Sequence, residues 1–289
     1  MSSQPTTPLI VLGALNLDIC GISGQALRLH DSNPGRITMS AGGVGHNIAR
    51  HLAVQGHAVE LISLLGDDHT ADILSRHCAA EGIGLRHAVQ RPSPSSTYLC
   101  IHDIGGELAV AVNDMSLLDL FTPALLEPLL PTINGAQVAV TDANLPQETL
   151  ELLARKATVP LFLDPVSTFK AERVRGCIGA FTAIKPNLLE AQHLTGEQSA
   201  EEAAAWFIAR GVQQVYISLG ADGLYYAGQG QQGHLPAPSL DAPNTNGAGD
   251  ALCAGIVTGM LQGLSTAGCA ALGLQSVSKH LVQQGGTTR

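Results

Sequence analysis

Short apolar runs alternate with amphipathic stretches along most of the chain. Continuous apolar runs of this length are typical of strands buried on both faces of a parallel sheet. They predict strands at Leu9–Leu12, Val59–Leu65, Gln137–Thr141, Leu161–Leu163, Ala180–Ile184 and Gln214–Leu219. Apolar residues at helical spacing predict helices from the Ala41–Asn47 segment to Gly56, at Ala71–Ala80, near 147–157, 187–195 and 200–210, and from Ala251 onward. This alternation predicts an α/β fold with a doubly wound, mostly parallel central sheet flanked by helices.

A different pattern, apolar residues alternating with polar ones, occurs at Ser95–His102 and Glu107–Asn113 around Gly105-Gly106. It predicts a β-hairpin. A half-polar hairpin does not suit the interior of a parallel sheet, so we expect a small β-sheet lid built from segments at about 19–40 and 92–115. No linker or internal repeat interrupts the chain, and we therefore expect one α/β domain over residues 1–289.

Composition narrows the function classes. Hydrophobic residues make up 45% and charged residues 13% of the chain, which allows a large core. The formal charge of −9 argues against a nucleic-acid partner, which would need a basic surface, but allows a nucleotide held by amides and Mg²⁺. The six cysteines are scattered without a C-x-x-C pair, which favours buried thiols in a reducing compartment over a disulfide framework or a zinc site. With no leader pattern and no long apolar run, we expect a cytoplasmic protein that does not contact a membrane.

The segment from Pro243 to Gly255 has the pattern of an anion site. Gly247, Ala248 and Gly249 have little or no side chain, so their amides can approach an anion where a helix begins. Asp250 follows at once. A carboxylate there would repel the anion, but it can take a proton from a hydroxyl that attacks a phosphoryl group. Taken alone, the segment fits a glycine-rich turn that caps a core helix better than an anion site, and the other motifs of the chain shift the balance.

Polar residues also follow the first predicted strand. Asn16 and Asp18 lie where α/β sheets bind ligands, although a cap or turn would explain Asp18 as well. Gly42 and Gly43 allow close approach of a ligand before a helix, and the Asn47 side chain offers a donor and an acceptor that suit a sugar diol. The Lys-Ser/Thr ending of a Walker A loop is absent. Asn187 with Glu190 fits either a functional pair or a helix cap.

Several of these motifs, in this order, resemble the ribokinase-like (PfkB) carbohydrate kinase family across nearly the whole chain. Ala41-Gly42-Gly43-x-Gly45-x-Asn47, with Gly56 and Gly66, is similar to its N-terminal signature, and Asn244-Thr-Asn-Gly-Ala-Gly-Asp250 to its C-terminal signature. Asn187-x-x-Glu190 is similar to its Mg²⁺ and phosphate motif. The resemblance implies a ribokinase-like fold, a lid over the ribose and, in many members, a homodimer formed through the lids.

Further segments resemble the pseudouridine kinase subfamily. They are Asp31-Ser-Asn-Pro-Gly35, Asn113-Asp114-Met115, Asn144-Leu145 and Asp164-Pro-Val-Ser-x-x-Lys170-Ala171. This likeness implies ATP-dependent phosphorylation of the 5′-hydroxyl of pseudouridine, giving pseudouridine 5′-phosphate and ADP. The alternative is another kinase of the family that acts on ribose or on a purine or pyrimidine nucleoside.

The resemblance also implies roles for individual residues. Asp250 would be the base, and Gly247, Ala248 and Gly249 would form the anion site. The implied substrate-binding residues are Asn16, Asp18, Asp31, Ser32, Asn33, Gly42, Gly43, Asn47 and Asn113. The implied ATP-binding residues are Asn187, Ser218, Gly220, Gly223 and Thr245, with Glu190 toward Mg²⁺. Relatives hold a monovalent cation near the C-terminal signature, but Asn244 replaces the aspartate of many members, which weakens the expectation of K⁺.

Two other classes fit the residues poorly. A dinucleotide oxidoreductase would read Gly247-x-Gly249 as a Rossmann turn, but the third glycine and a following βαβ unit are missing. A nucleoside sensor without catalysis would not need Asp250 beside an anion site.

Overall fold

The computed structural model describes residues 8–242, 245–285 and 287–288. In this part of the chain the strands are β1 (Leu9–Leu12), β2 (Asn16–Ser23), β3 (Gly35–Gly42), β4 (Val59–Ile62), β5 (Leu64–Leu65), β6 (Ile83–Gly84), β7 (Val89–Gln90), β8 (Thr97–His102), β9 (Leu108–Asp114), β10 (Ala139–Asp142), β11 (Leu161–Asp164), β12 (Ala183–Ile184), β13 (Gln214–Ser218), β14 (Leu224–Gly228), β15 (Gln231–Leu235), β16 (Leu240–Asp241) and β17 (Thr287–Thr288). The α-helices are α1 (Val44–Val54), α2 (His69–Ala80), α3 (Pro123–Leu126), α4 (Leu130–Asn134), α5 (Gln147–Lys156), α6 (Thr168–Ala171), α7 (Leu188–Thr195), α8 (Ala200–Ala209), α9 (Ala248–Leu261) and α10 (Thr266–Gln283).

The central sheet has the order β15-β14-β13-β12-β11-β10-β1-β4-β6. From β13 to β6 in this order, all neighbouring strands pair in parallel. The hairpin β14–β15 extends the other edge of the sheet in antiparallel fashion. Alternate residues of β1 enter different cores, Ile10 and Leu12 on one face and Leu9 and Val11 on the other. The predicted α/β class, the mostly parallel central sheet and the strands buried on both faces are confirmed, and the antiparallel hairpin at one edge makes the sheet mixed.

A second, separate sheet of four strands has the order β3-β2-β8-β9 and forms the predicted lid. The predicted hairpin is present as β8 and β9. The strand β2 was not predicted. It pairs antiparallel with β3 along its whole length and parallel with β8. It begins at Asn16 and includes Asp18, so both of these residues are part of the lid sheet.

Two predicted elements differ from the structure. The run Val59–Leu65 is not one strand, because Ser63 separates β4 from β5 and its carbonyl accepts from the Val89 amide at 3.0 Å. Helix α10 was not predicted, since its sequence is rich in Gly, Ala and Ser and lacks a clear apolar stripe. It packs closely on α9 through glycines: a Cβ on Gly255 would lie 2.7 Å from Cα of Gly273.

The carboxyl ends of the central strands bring polar residues to one edge of the sheet. Asp142 and Asp164 are directly opposite each other at the ends of β10 and β11. Lys185 follows β12, and Ser218 ends β13. Among the described residues, no helix combines the length and apolar character needed to cross a membrane.

Candidate active site

Helix α9 begins at the loop that the sequence predicts to bind an anion. Gly247 caps the helix in the left-handed conformation with φ of 79°, which favours glycine at this position. Its carbonyl accepts from the Ala251 amide at 2.9 Å, whereas the Ala248 amide donates to the Thr245 carbonyl at 3.1 Å. The Ala248 amide is therefore already paired in this structure. Gly249 lies in the first helical turn, where amides have no carbonyl partner within the helix.

Asp250 lies on the first turn of α9 with its carboxylate largely withdrawn from water. The Asn47 side chain, from α1, donates from Nδ2 to Asp250 Oδ2 at 2.9 Å. Burial raises the pKa of Asp250 from the usual 3.8 to about 7, and the negative charge of Asp164 adds to the rise. Lys185 and the bond from Asn47 act in the opposite direction. The carboxyl group therefore changes protonation near neutral pH, as suits a proton acceptor.

The buried Lys185 side chain lies close to Gly249 at the start of α9. The sequence prediction assigned no role to this lysine. Lys185 Nζ is 2.9 Å from Asp164 Oδ2, and a Cβ on Gly249 would come within 3.3 Å of the same nitrogen. Burial favours the neutral amine, but Asp164 outweighs it, so the pKa of Lys185 is raised and the group keeps its charge. The Cys253 thiol donates a hydrogen bond to Asp164 Oδ2 at 3.2 Å. The signal in the sequence was a lysine directly after the buried strand β12.

Asn16 and Asp18 form the opposite side of the site. Asn16 Nδ2 donates to Asp18 Oδ1 at 2.6 Å. A Cβ on Gly42 would lie 2.1 Å from Asp18 Oδ2, so any larger residue at position 42 would force this carboxylate to move. Burial raises the pKa of Asp18, while the bond from Asn16 lowers it.

Gly43 connects these residues to Asn47. It adopts φ of 98°, and its carbonyl accepts from the Asn47 amide at 2.8 Å. A Cβ on Gly43 would meet Asn16 Oδ1 at 2.9 Å. Hydrogen bonds thus join Asp250 to Asn47 and Asn47 to Gly43, and the preceding residue, Gly42, is paired with Asn16 in the lid sheet. The structure brings the two predicted halves of the site together.

The lid residues divide into two groups. Asn113 on β9 and Tyr98 on β8 are in register with Asp18, so all three side chains are on one face of the lid sheet. Asp31, Ser32 and Asn33 lie past the far end of β2, roughly 20 Å along the strand from Asn16.

The loop that carries Asp31, Ser32 and Asn33 is held by its own hydrogen bonds. Asn33 Oδ1 accepts from the Arg28 amide at 2.8 Å, and Asn33 Nδ2 donates to the carbonyls of Arg28 and Asp31. Within one chain, these three residues therefore do not lie beside Asp18, Asn47 and Asp250. The geometry of one chain does not support their predicted contact with substrate, which stays a prediction.

Asn187 and Glu190 form a complete capping box at the start of α7. Glu190 accepts from the Asn187 amide and from Asn187 Nδ2, both at 2.9 Å, and Asn187 Oδ1 accepts from the Glu190 amide at 2.8 Å. Burial raises the pKa of Glu190, and Asp164 raises it further. The helix-cap interpretation is thus confirmed, and a role toward Mg²⁺ would be additional to it.

The predicted nucleotide-binding residues lie beside this cap. Ser218 forms a β-bridge with Asn187. Gly220 and Gly223 both have positive φ, and a Cβ on Gly223 would lie 2.1 Å from the Leu235 carbonyl oxygen, which accounts for glycine structurally. Thr245 is exposed just before the α9 loop. Asn244, on which the expectation for K⁺ depends, lies outside the described residues.

Two buried histidines support the site, and neither was assigned a role from the sequence. His46, beside Asn47, places Nε2 2.7 Å from Glu81 Oε2. His280, from α10, places Nε2 2.7 Å from the Asn246 carbonyl and packs edge to face on His51. Helix α10 therefore holds the loop before α9, and this contact was missed because α10 itself was not predicted.

Comparisons with known proteins agree with this geometry. The chain is 34% identical over 281 residues to pseudouridine kinase of Escherichia coli K12, covering 92% of this chain and 90% of that protein. A putative sugar kinase from Clostridium perfringens superposes with a TM-score of 0.85 at 29% identity, covering 96% of this chain and 90% of the other. Arabidopsis thaliana ribokinase complexed with ribose and ATP superposes with a TM-score of 0.83 at 21% identity, covering 96% and 93%.

The family profile described as "pfkB family carbohydrate kinase" matches residues 6–289, almost the full length of the chain. The fold is ribokinase-like, and the family supports a phosphotransferase whose acceptor is an alcohol. The chain belongs to the pfkB family of carbohydrate kinases.

Proposed function

We propose that this protein is an ATP-dependent kinase that phosphorylates the 5′-hydroxyl of pseudouridine, giving pseudouridine 5′-phosphate and ADP. The observation that carries the proposal is the position of Asp250. Its carboxyl group is half-buried, has a pKa raised to about 7 and accepts a hydrogen bond from Asn47, which we propose also contacts the sugar.

In this mechanism Asp250 accepts the proton of the 5′-hydroxyl as its oxygen attacks the γ-phosphorus of ATP. The new O–P bond forms while the bond to the bridging oxygen of ADP breaks. The amides of Gly247 and Gly249 would face the transferred group. The charge of Lys185, held under Gly249, would offset the negative charge of the phosphoryl oxygens. The Ala248 amide would contribute only if it leaves the Thr245 carbonyl.

The ribose would lie between Asp250 and the lid. Asp18 and Asn47 each present polar atoms there, and the absence of side chains at Gly42 and Gly43 lets the backbone pack directly against Asp18 and Asn16. Asn113 and Tyr98 share the lid face of Asp18, so they are the described side chains best placed to meet the base. The 34% identity to pseudouridine kinase supports pseudouridine over other nucleosides.

The predicted ATP site combines Asn187, Ser218, Gly220, Gly223 and Thr245. The ribokinase complexed with ribose and ATP supports this choice of donor. Bound Mg²⁺ would neutralise phosphate charge. Both oxygens of Glu190 already accept bonds from Asn187, so Glu190 fits a hydrated Mg²⁺ held through water better than a directly bound one.

The test is ADP release from ATP with pseudouridine, uridine, inosine and ribose as acceptors. Pseudouridine and uridine differ in the glycosidic bond and in the base face, so this pair is the matched comparison. We expect kcat/KM for pseudouridine to exceed that for uridine at least about tenfold, a difference of ~1.4 kcal/mol. Equal values for all four acceptors would contradict the proposed specificity.

A second candidate is a kinase that acts on ribose itself. The residues proposed for ribose, Asn16, Asp18, Gly42, Gly43 and Asn47, would serve either substrate. Ribose turnover above that of every nucleoside would favour this candidate while leaving the role of Asp250 intact.

We also propose a homodimer formed through the lids. The lid face opposite Asp18 exposes a row of large apolar side chains from three strands, namely Ile37, Met39, Leu99, Val110 and Val112. Such an apolar face on one sheet suits a second copy of itself. Light scattering should report a dimer that Val112→Asp dissociates, while the control Val54→Asp, at the exposed C-terminal end of α1, leaves it intact. A wild-type monomer would overturn this assembly.

A further inference from the structure

The inner face of the lid carries a cluster that the linear sequence does not reveal. Cys20 on β2 and Cys100 on β8 are directly opposite each other in parallel register. His102 is two residues beyond Cys100 and opposite Ile22, so its side chain is on the same sheet face. Because 80 residues separate the two cysteines, their spacing favoured isolated buried thiols rather than a zinc site. The fold brings the two cysteines together.

The donor atoms are close enough for one ion to reach all three. The two Sγ atoms and a ring nitrogen of His102 lie within 4.8 Å of one another. Around tetrahedral Zn²⁺, with bonds of about 2.3 Å to sulfur and about 2.0 Å to nitrogen, donors are roughly 3.3–3.8 Å apart. Side-chain movements of about 1 Å, without a change of strand register, would complete the coordination.

The hydrogen bond of one ring nitrogen of His102 fixes its tautomer. Its Nδ1 lies 2.9 Å from the Gly106 carbonyl oxygen, which can only accept, so Nδ1 carries the proton. Nε2 therefore presents its lone pair for coordination. The turn that supplies this carbonyl is itself fixed, because Asp103 Oδ1 accepts from the amides of Gly105 and Glu107 at 2.8 and 2.9 Å.

We propose that Cys20, Cys100 and His102 form a binding site for a thiophilic divalent cation, Zn²⁺, with water as the fourth ligand. Two thiolates and one imidazole are a donor set that favours Zn²⁺ over the hard Mg²⁺ of the phosphates. On binding, two S–H bonds break, two Zn–S bonds and one Zn–N bond form, and two protons pass to the solvent. No oxidant or reductant is required.

The surroundings agree with a site that takes up its ion from solution. Cys100 is buried, whereas Cys20 and His102 are half-buried and leave a path for the ion.

The position has a consequence for the lid. Asp18 is two residues before Cys20 on the same face of β2, a separation of roughly 7 Å. A bound ion would join β2 to β8 next to the proposed ribose contact. We expect Zn²⁺ to stiffen the lid beside the nucleoside.

The test is a Zn²⁺ titration of the reduced full chain against a chromophoric chelator, which does not depend on kinase activity. We expect one Zn²⁺ per chain and release of up to two protons into weak buffer. Cys20→Ser, Cys100→Ser and His102→Gln should each weaken binding at least about tenfold. Cys177→Ser, which removes a half-buried thiol elsewhere, should bind as the wild type does.

Thermal unfolding separates binding at this site from misfolding. Zn²⁺ should raise the Tm of the wild type and of Cys177→Ser, but not of the three cluster variants. Circular dichroism without metal should be the same for all of them. Failure of the wild type to bind Zn²⁺ at micromolar concentrations, or equal binding by wild type and Cys20→Ser, would overturn the site.

Discussion

Asn47 Nδ2 donates a hydrogen bond of 2.9 Å to Asp250 Oδ2 across 203 residues of sequence. This bond joins the helix that follows the N-terminal glycines to the helix that follows the C-terminal loop. It also lowers the pKa of a carboxyl group that burial has raised to about 7. In the proposed mechanism, this bond couples the sugar side and the phosphate side of the site through the proton acceptor Asp250.

Removing the donor should therefore move the pH dependence of the reaction. In Asn47→Ala the pKa of Asp250 should rise further, so the acid limb of kcat/KM should shift to higher pH than in the wild type. The measurement is a pH–rate profile at saturating ATP. Gln147→Ala, on the exposed side of α5, is the control. If KM of Asn47→Ala changed but the acid limb of kcat/KM stayed at the wild-type pH, Asn47 would act in substrate binding only, and its proposed effect on the pKa of Asp250 would be contradicted.

The wild-type profile is itself a prediction. Asp250 must be ionised to accept a proton, and its pKa is about 7 rather than 3.8. We expect kcat/KM to fall tenfold per pH unit below about pH 7, because this profile reports groups of the free enzyme. Activity that stays constant down to pH 5 would be inconsistent with a base of this pKa.

Stability should depend on pH in the opposite sense to activity. Between pH 3.8 and about 7 the folded state binds a proton at Asp250 that the unfolded state has released, so the free energy of unfolding falls as pH rises. Asp250→Asn lacks this charge. Its stability relative to the wild type should increase from pH 4 to pH 8 by up to about 4 kcal/mol, at ~1.4 kcal/mol per pKa unit. Urea unfolding at both pH values measures the difference. A constant difference would place the raised pKa in doubt.

Asp18→Ala should chiefly weaken nucleoside binding. Loss of a charged acceptor for a sugar hydroxyl costs about 1.5–3 kcal/mol, which corresponds to a rise in KM for the nucleoside of roughly 10- to 150-fold. KM for ATP should change little. Steady-state kinetics with each substrate varied separately tests this, with Asp31→Ala as the matched control at the far end of β2 and β3. Equal effects of the two substitutions would contradict the placement of the ribose.

Much of the fold could be predicted because the chain obeys local rules. The strand β1 is apolar throughout and is buried on both faces, and Gly56 follows α1 with positive φ. The prediction failed where tertiary contacts decide. Helix α10 depends on glycine contacts with α9, and the tight β14–β15 turn depends on positive φ at Gln229 and Gly230.

The candidate site could be predicted for the glycine-rich motifs, since these state their backbone requirement in the sequence. The sequence analysis missed residues whose contacts depend on which strands and helices are neighbours in the fold. Lys185 reaches Gly249 only because β12 ends beneath α9, and Cys20 meets Cys100 only because β2 and β8 are neighbours. Asp31, Ser32 and Asn33 are the reverse case: a motif likeness predicts that they contact substrate, but within one chain they lie past the far end of β2, so this contact stays a prediction.

The central claim is that Asp250 accepts the proton of the attacking hydroxyl. The most direct measurement is single-turnover phosphoryl transfer from ATP to pseudouridine by rapid quench, for the wild type and Asp250→Asn, with binding of both substrates measured beforehand. Asn keeps the shape and can still accept the bond from Asn47. We predict that the variant binds both substrates within about threefold of the wild type but transfers ~10²–10⁴-fold more slowly. Transfer by the variant at a near-normal rate would contradict the account.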